Sequence, residues 1–173
     1  MIALWLVRHA PTPWNHDSRL LGWTDIGLSD EGIRLATGLA IELSVIRADS
    51  AWSSDLGRCM QTGHHAGFAP ALYARLRELD FGELEGLTFD ECSPEQQEAL
   101  AQFDDFSAPG GERVARLRQR VFEFINALTP GNHLIFTHGG VIRLLLRAAG
   151  RNDWPEPASV LRLDWDPRFA SSP

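Results

Sequence analysis

The sequence predicts a three-layer α/β/α sandwich around a mostly parallel sheet, built as one domain over residues 1–173. Three observations lead there. Short apolar runs alternate with longer stretches of helical periodicity along the whole chain, the pattern of a sheet covered by helices on both faces. Two of those runs, Ile2–Val7 and Leu134–Thr137, are apolar on successive positions, as strands buried on both faces are. Both end alike: the first runs into Arg8-His9, the second into His138-Gly139-Gly140. Sites in such sheets lie beyond the carboxyl ends of the strands. Neighbouring strands, about 4.8 Å apart, would therefore bring two imidazoles and an arginine to one spot.

The remaining elements come in order. Residues 10–28 are polar and turn-rich, with Pro11, Pro13, Asn15, Gly22 and Gly27, and read as a long functional loop. Ser29 caps a helix that opens with Asp30-Glu31 and carries Ile33, Ala36, Ala40 and Leu43 on one face. A strand covers residues 50–53, and Ser54 or Asp55 caps the next helix, which runs toward His65. Residues 71–73 read as a short strand. The acidic, glycine-punctuated stretch 78–86 reads as a loop over the strand ends. Residues 94–103 read as helix, and Pro109-Gly110-Gly111 interrupts the chain. Val114, Leu117, Val121, Ile125 and Leu128 mark an amphipathic helix stopped by Pro130-Gly131. A helix over 139–149 and a strand over 159–165 come after the second apolar run, and the last few residues are expected to fray. No repeat, low-complexity tract or linker breaks the pattern.

Composition narrows the function. A chain of 173 residues, 44% hydrophobic, can bury a real core. Its net charge of −7 argues against nucleic acid or an anionic membrane as partner. All sixteen basic residues are arginine, which excludes Schiff-base chemistry and a P-loop lysine. The two cysteines, Cys59 and Cys92, form no C-x-x-C pair, which points to a reducing cytoplasm rather than a disulfide framework. The first apolar run breaks at Arg8, too early for a signal peptide, and no stretch approaches the ~20 residues of a membrane span. No H-x-x-x-H or H-E-x-x-H pair suggests a metal site; His64-His65 read as a helix end facing solvent.

Two neutral imidazoles beside a guanidinium suit an anionic oxygen ligand, above all phosphate. The motifs around them agree. Leu6-Val7-Arg8-His9-Ala10-Pro11-Thr12 resembles the L-x-R-H-G-x-T signature of the histidine phosphatase superfamily, which includes the cofactor-dependent phosphoglycerate mutases. Gly22-Trp23-Thr24-Asp25 with Leu28-Ser29 and Gly32, and Ser53-Ser54-Asp55-Leu56-Gly57-Arg58 with Gln61-Thr62, are similar to its next two segments. Leu76-Arg77-Glu78 with Phe81-Gly82 and Glu85-Gly86, then Thr137-His138-Gly139-Gly140, complete the order. The resemblance spans residues 4 to about 145. One departure is Ala10, where the family has glycine; a positive φ there would cost stability.

The resemblance implies a phosphoglycerate mutase-like fold and a metal-independent, cofactor-free phosphomonoesterase working through phosphohistidine. His9 is then the nucleophile. Arg8 and Arg58 neutralise the phosphoryl oxygens and hold the His9 pKa down. His138 donates to a phosphoryl oxygen, and Gly139 and Gly140 open a helix whose free N–H groups favour an anion. Asn15 hydrogen-bonds the phosphate or orients His9, and Thr12 lies in the same loop as a further substrate contact. Glu78 is the proton donor, singled out among Asp80, Glu83 and Glu85 only by the L-R-E match. Trp14 and Trp23 are placed to stack on an aromatic leaving group. The short chain and the Gly22–Asp25 and Leu76–Gly86 segments resemble most the α-ribazole phosphatases of cobalamin nucleotide-loop assembly. The expected partner is a small phosphorylated metabolite; a homodimer is left open. Three alternatives stand: a phosphoglycerate mutase, a catalytically silent phospho-ligand binding module, and a metal-dependent hydrolase.

Overall fold

A five-stranded sheet in the order β3-β2-β4-β1-β5 divides the molecule into two helical layers. The computed structural model describes residues 1–171. The strands are β1 (Ile2–Arg8), β2 (Ser50–Ser53), β3 (Ala71–Leu72), β4 (Gly131–Thr137) and β5 (Val160–Trp165). The helices are α1 (Pro13–His16), α2 (Asp30–Ser44), α3 (Gly57–His65), α4 (Pro94–Gln102), α5 (Val114–Asn126) and α6 (Gly139–Ala148). All neighbouring pairs are parallel except β1 with β5, so the α/β fold with a mostly parallel sheet is as expected.

The alternation of side chains sets the layers. Leu6 and Ile135 point into a core shared with Leu117, Val121 and Ile125 of α5 and Ile142 of α6. Val7, Leu134 and Phe136 point the other way, against Leu39 and Leu43 of α2. Strands β1 and β4 are central and buried, which is why their sequences carry continuous apolar runs rather than an apolar residue at every second position.

Several boundaries differ from the sequence reading, each for a local reason. The loop after His9 contains the one-turn helix α1, opened by a reciprocal box between Thr12 and Asn15 with Pro13 at its first position. Strand β4 begins at Gly131, because Asn132 and His133 pair with Ala3 and Leu4 although they are polar. Helix α3 takes no cap from Ser54 or Asp55. Asp55 instead forms a two-pronged pair with Arg77, both contacts at 2.7 Å. The cap comes from Asp25, whose Oδ1 accepts the Gly57 N–H at 2.7 Å. Near the terminus, Pro167–Ser171 form a 3₁₀ turn with Phe169 against Trp165; of the fraying expected there, residues 172–173 lie outside the described residues.

Candidate active site

In the register of β1 and β4, Arg8 lies opposite Thr137. The next residue on each strand is a histidine, and the His9 N–H extends the ladder by donating to the Thr137 carbonyl at 2.9 Å. The two rings stand 5.3 Å apart at 62°. His9 Nδ1 lies 2.9 Å from the Ala10 carbonyl, an acceptor only. Nδ1 therefore carries the proton and Nε2 the lone pair. Burial, then the charges of Arg58 and Arg8, hold His9 well below the usual imidazole range, so it is neutral. Ala10 is buried, and its N–H donates to Thr62 Oγ1 at 3.0 Å. Among the described non-glycine residues only Ser18, Phe103 and Ala158 have positive φ, so alanine at position 10 carries no backbone strain.

Two arginines flank His9. Arg8 donates from Nη1 to the Pro155 carbonyl at 2.7 Å. Arg58, fully buried, donates from Nη2 to Gly22 at 2.6 Å and from Nη1 to Thr24 at 3.2 Å. In both, Nε is buried without a hydrogen-bond partner. Carbonyls position these cations, and among the described residues neither has a carboxylate within ion-pairing distance. A buried charge left unpaired costs on the order of several kcal/mol. An anion seated beside His9 would relieve that cost.

Glu78 reaches the same place from the loop after Arg77. Its Oε2 accepts the Gly140 N–H and its Oε1 the Leu79 N–H, each at 2.9 Å. Burial raises its pKa above the usual carboxylate value, against the opposing pull of those two N–H groups and of Arg58 and Arg8. The contact explains the paired glycines: a Cβ on Gly140 would overlap Glu78 Oε1, and one on Gly139 would sit 3.3 Å from Arg8 Nε. It also corrects one expectation, because the Gly140 N–H serves the carboxylate rather than standing free for an anion. His138 is fully buried, with Nε2 2.9 Å from Ser54 Oγ and 3.4 Å from Cys59 Sγ. Burial and Arg58 depress its pKa as they do that of His9.

Arg8, His9, Asn15, Glu78 and Gly139 line one cavity of about 620 Å³, with Arg58 and His138 buried and coupled electrostatically to His9 and to Arg8 or Glu78. Asn15 spends its Oδ1 on the Thr12 N–H and hydroxyl, which leaves the amide nitrogen for the cavity. Two expected contacts fall elsewhere. Thr12 is fully buried as the cap of α1 and does not reach the cavity wall. Trp23 lies beyond the Glu78 backbone, donating from Nε1 to the Glu78 carbonyl at 2.8 Å with Arg77 stacked 4.9 Å from its ring. Trp14 covers Gly86. The aromatic wall comes instead from Phe81, Phe89, Phe103 and Trp154. Trp154 reaches this wall because β5 runs antiparallel to β1, so the segment before it returns to the end that carries His9.

Comparison with known proteins decides the family. Residues 4–168 match the histidine phosphatase superfamily (branch 1). The chain belongs to the histidine phosphatase superfamily. A crystal structure of phosphoglycerate mutase from Thermus thermophilus superposes with a TM-score of 0.89 at 44% identity, covering 94% of this chain and 93% of that one. The 2,3-bisphosphoglycerate-dependent phosphoglycerate mutase of Mesorhizobium japonicum is 30% identical over 162 residues, 83% of this chain and 79% of that protein. Phosphoglycerate mutase-like protein 4 of Arabidopsis thaliana is 34% identical over 159 residues, 83% and 69% of the two chains. Superfamily members are phosphatases or mutases acting through phosphohistidine. Among the described residues no helix is long and apolar enough to cross a membrane, and no three His, Cys, Asp or Glu side chains group as metal ligands.

Proposed function

We propose that this histidine phosphatase superfamily member is a phosphomonoester hydrolase that works through a phosphohistidine on His9. The observation that carries the reading is a neutral His9 with Nδ1 protonated, set between the buried Arg58 and the half-buried Arg8, whose Nε atoms are both buried without partners. In the first step His9 Nε2 bonds to phosphorus as the ester P–O bond breaks. The departing alkoxide takes a proton from Glu78. Arg8, Arg58, His138, the Asn15 amide and the Gly139 N–H hold the phosphoryl oxygens. In the second step Glu78, now ionised, takes a proton from water as the water oxygen bonds to phosphorus. The P–N bond breaks, and inorganic phosphate leaves with neutral His9 restored.

Hydrolysis is favoured over phosphoryl return in this reading because Phe81, Phe89, Leu100, Phe103 and Trp154 make much of the wall beyond Glu78 apolar, and Glu156 adds a carboxylate there alongside the Arg19 and Arg143 cations. The second reading is a mutase, favoured by the names of the similar proteins. Within the hydrolase reading, the motif resemblance makes α-ribazole 5′-phosphate the first substrate to try. The test is a panel of α-ribazole 5′-phosphate, sugar phosphates and 3-phosphoglycerate, the last with and without a bisphosphate primer. Release of inorganic phosphate through an acid-labile phosphoenzyme that His9→Ala abolishes is the expected result. Primer-dependent isomerisation of 3-phosphoglycerate without phosphate release would install the mutase reading.

A further inference from the structure

The cavity extends well beyond the arginines, and its outer wall has a chemistry of its own. Phe81, Leu100 and Phe103 are buried there, while Phe89 and Trp154 are 43% and 60% exposed at the same opening. Phe103 ends α4 in the left-handed region at φ +54, which fixes where its ring lies. Arg143 of α6 places its guanidinium 5.3 Å from the Phe103 ring and 5.0 Å from the Trp154 ring. That cation is already engaged, since Nη2 donates to the Ala101 carbonyl at 2.7 Å. The other outer cation, Arg19, donates to Gly86 at 2.6 Å and lies 3.8 Å from Asp17. Glu156 is the carboxylate on this wall, and its charge acts on Arg8. The outer cavity thus offers aromatic faces, with two arginines at its wall held by these backbone and ring contacts.

We propose that Phe89, Phe103 and Trp154, the last two braced by Arg143, form a leaving-group subsite for the planar ring of a phosphomonoester's alcohol. The proposal rests on the hydrolase reading of the same site and adds the class of substrate. A flat ring gains from stacked or edge-on aromatic contact beyond the area it buries, whereas a saturated ring of similar bulk gains only the area. A carboxylate or second phosphate at the same place makes no ring contact, and it meets Glu156 as well as the Arg19 and Arg143 cations.

Binding of unreactive analogues separates the two claims. Methylphosphonate reports the arginine site alone; 2-phenylethylphosphonate and 2-cyclohexylethylphosphonate add a flat or a puckered ring. Titration calorimetry should show the phenyl analogue binding more tightly than the cyclohexyl analogue. In Trp154→Ala that preference should shrink by about three- to tenfold, the size of one aromatic pair contact. Trp154→Phe should restore most of it, and Phe89→Ala should also weaken it. Equal affinity for the two rings, or a preference that Trp154→Ala leaves intact, overturns the subsite while leaving the hydrolase reading in place. Absence of phosphoenzyme from any ester would fell the hydrolase reading, and the affinity ratio would still decide whether the ring site exists. Turnover adds a second readout: kcat/KM should fall from 2-phenylethyl phosphate to 2-cyclohexylethyl phosphate to 3-phosphoglycerate. Their leaving alcohols are all unactivated, so the order reports the subsite; an inverted order overturns it.

Discussion

The single proton on each buried imidazole decides what it can do. His9 is directed by a carbonyl, which forces Nδ1–H and leaves the lone pair on Nε2, the atom proposed to bond to phosphorus. His138 faces a hydroxyl, which can give or take a proton. If the Ser54 hydroxyl donates to Nε2, a neutral His138 keeps its only proton on Nδ1, which lies 3.7 Å from Cys59 Sγ and in the proposed mechanism serves the phosphoryl group. Ser54→Ala should then redistribute the His138 tautomers in ¹⁵N spectra. A buried bond left unmade costs about 1–3 kcal/mol, so phosphoenzyme formation should slow by about 5- to 150-fold. Ser54→Thr should keep both properties, and an unchanged tautomer in Ser54→Ala would dismiss the role. Glu78 carries a second prediction. Its raised pKa keeps the proton on to higher pH than an ordinary carboxyl does, so turnover of alkyl esters should decline on the alkaline side as that proton is lost. Glu78→Gln should slow phosphoenzyme formation from an alkyl ester about 10²–10⁴-fold. It should barely affect formation from p-nitrophenyl phosphate, whose leaving group needs no proton. Equal slowing with both would move the acid role to Glu83 or Glu85.

At the level of elements, the site depends on ends: the carboxyl ends of β1 and β4 and the amino ends of α3 and α6. Asp25 joins the loop after β1 to α3 by capping Gly57, one residue before Arg58. Asp25→Ala should cost about 0.5–2 kcal/mol in denaturant unfolding, with Asp25→Asn recovering most of it. An unchanged midpoint in Asp25→Ala would show that the cap is dispensable. At α6, Gly140→Ala would push Glu78 from the backbone N–H that fixes it, so activity should drop far more than stability. These two contacts mark the limit of what the sequence alone reveals. The strand-end histidines were legible because burial on both faces leaves a continuous apolar run, and the residue just past such a run must lie at the strand's end. Asp25 was not, because its partner lies 32 positions away and the local rule offers Ser54 or Asp55 instead. Thr12 and Trp23 were misplaced for a related reason. Lying in the loop after His9 does not say which side of the Glu78 backbone a residue takes. Trp154 was the opposite case, near in space only because β5 runs back antiparallel.

Across the whole molecule, a chain of net charge −7 sets the fully buried Arg58 and the half-buried Arg8 at one place. Because arginine charge together with imidazole and backbone N–H donors supplies the stabilisation that a divalent ion supplies elsewhere, exhaustive chelation should leave turnover unchanged. Loss restored only by a divalent ion would favour the metal-hydrolase alternative. The same arrangement sets the dependence of stability on pH. His9 and His138 have folded pKa values well below the ordinary 6.5, so below pH 6.5 the unfolded chain binds protons that the folded protein refuses. Their contribution is therefore complete above pH 6.5 and lost as pH falls, by at most about 1.4 kcal/mol per pH unit for each histidine. An oxyanion acts in the other direction. By binding only the folded state, inorganic phosphate or vanadate at about a hundred times its dissociation constant should add about 2.7 kcal/mol at any pH where the site is intact. For a chain of this size that is a rise of about 5–10 °C in Tm. Arg58→Met should reduce the rise, because it removes the charge the anion neutralises. Without anion the variant should be as stable as the wild type or more so, because replacing a buried, unpaired cation by an apolar side chain of similar length is often neutral or stabilising. A thermal-shift series in phosphate, with chloride at matched ionic strength as control, separates this from general screening. A wild-type Tm that responds equally to both anions would mean that the two guanidinium Nε atoms do not form an oxyanion site.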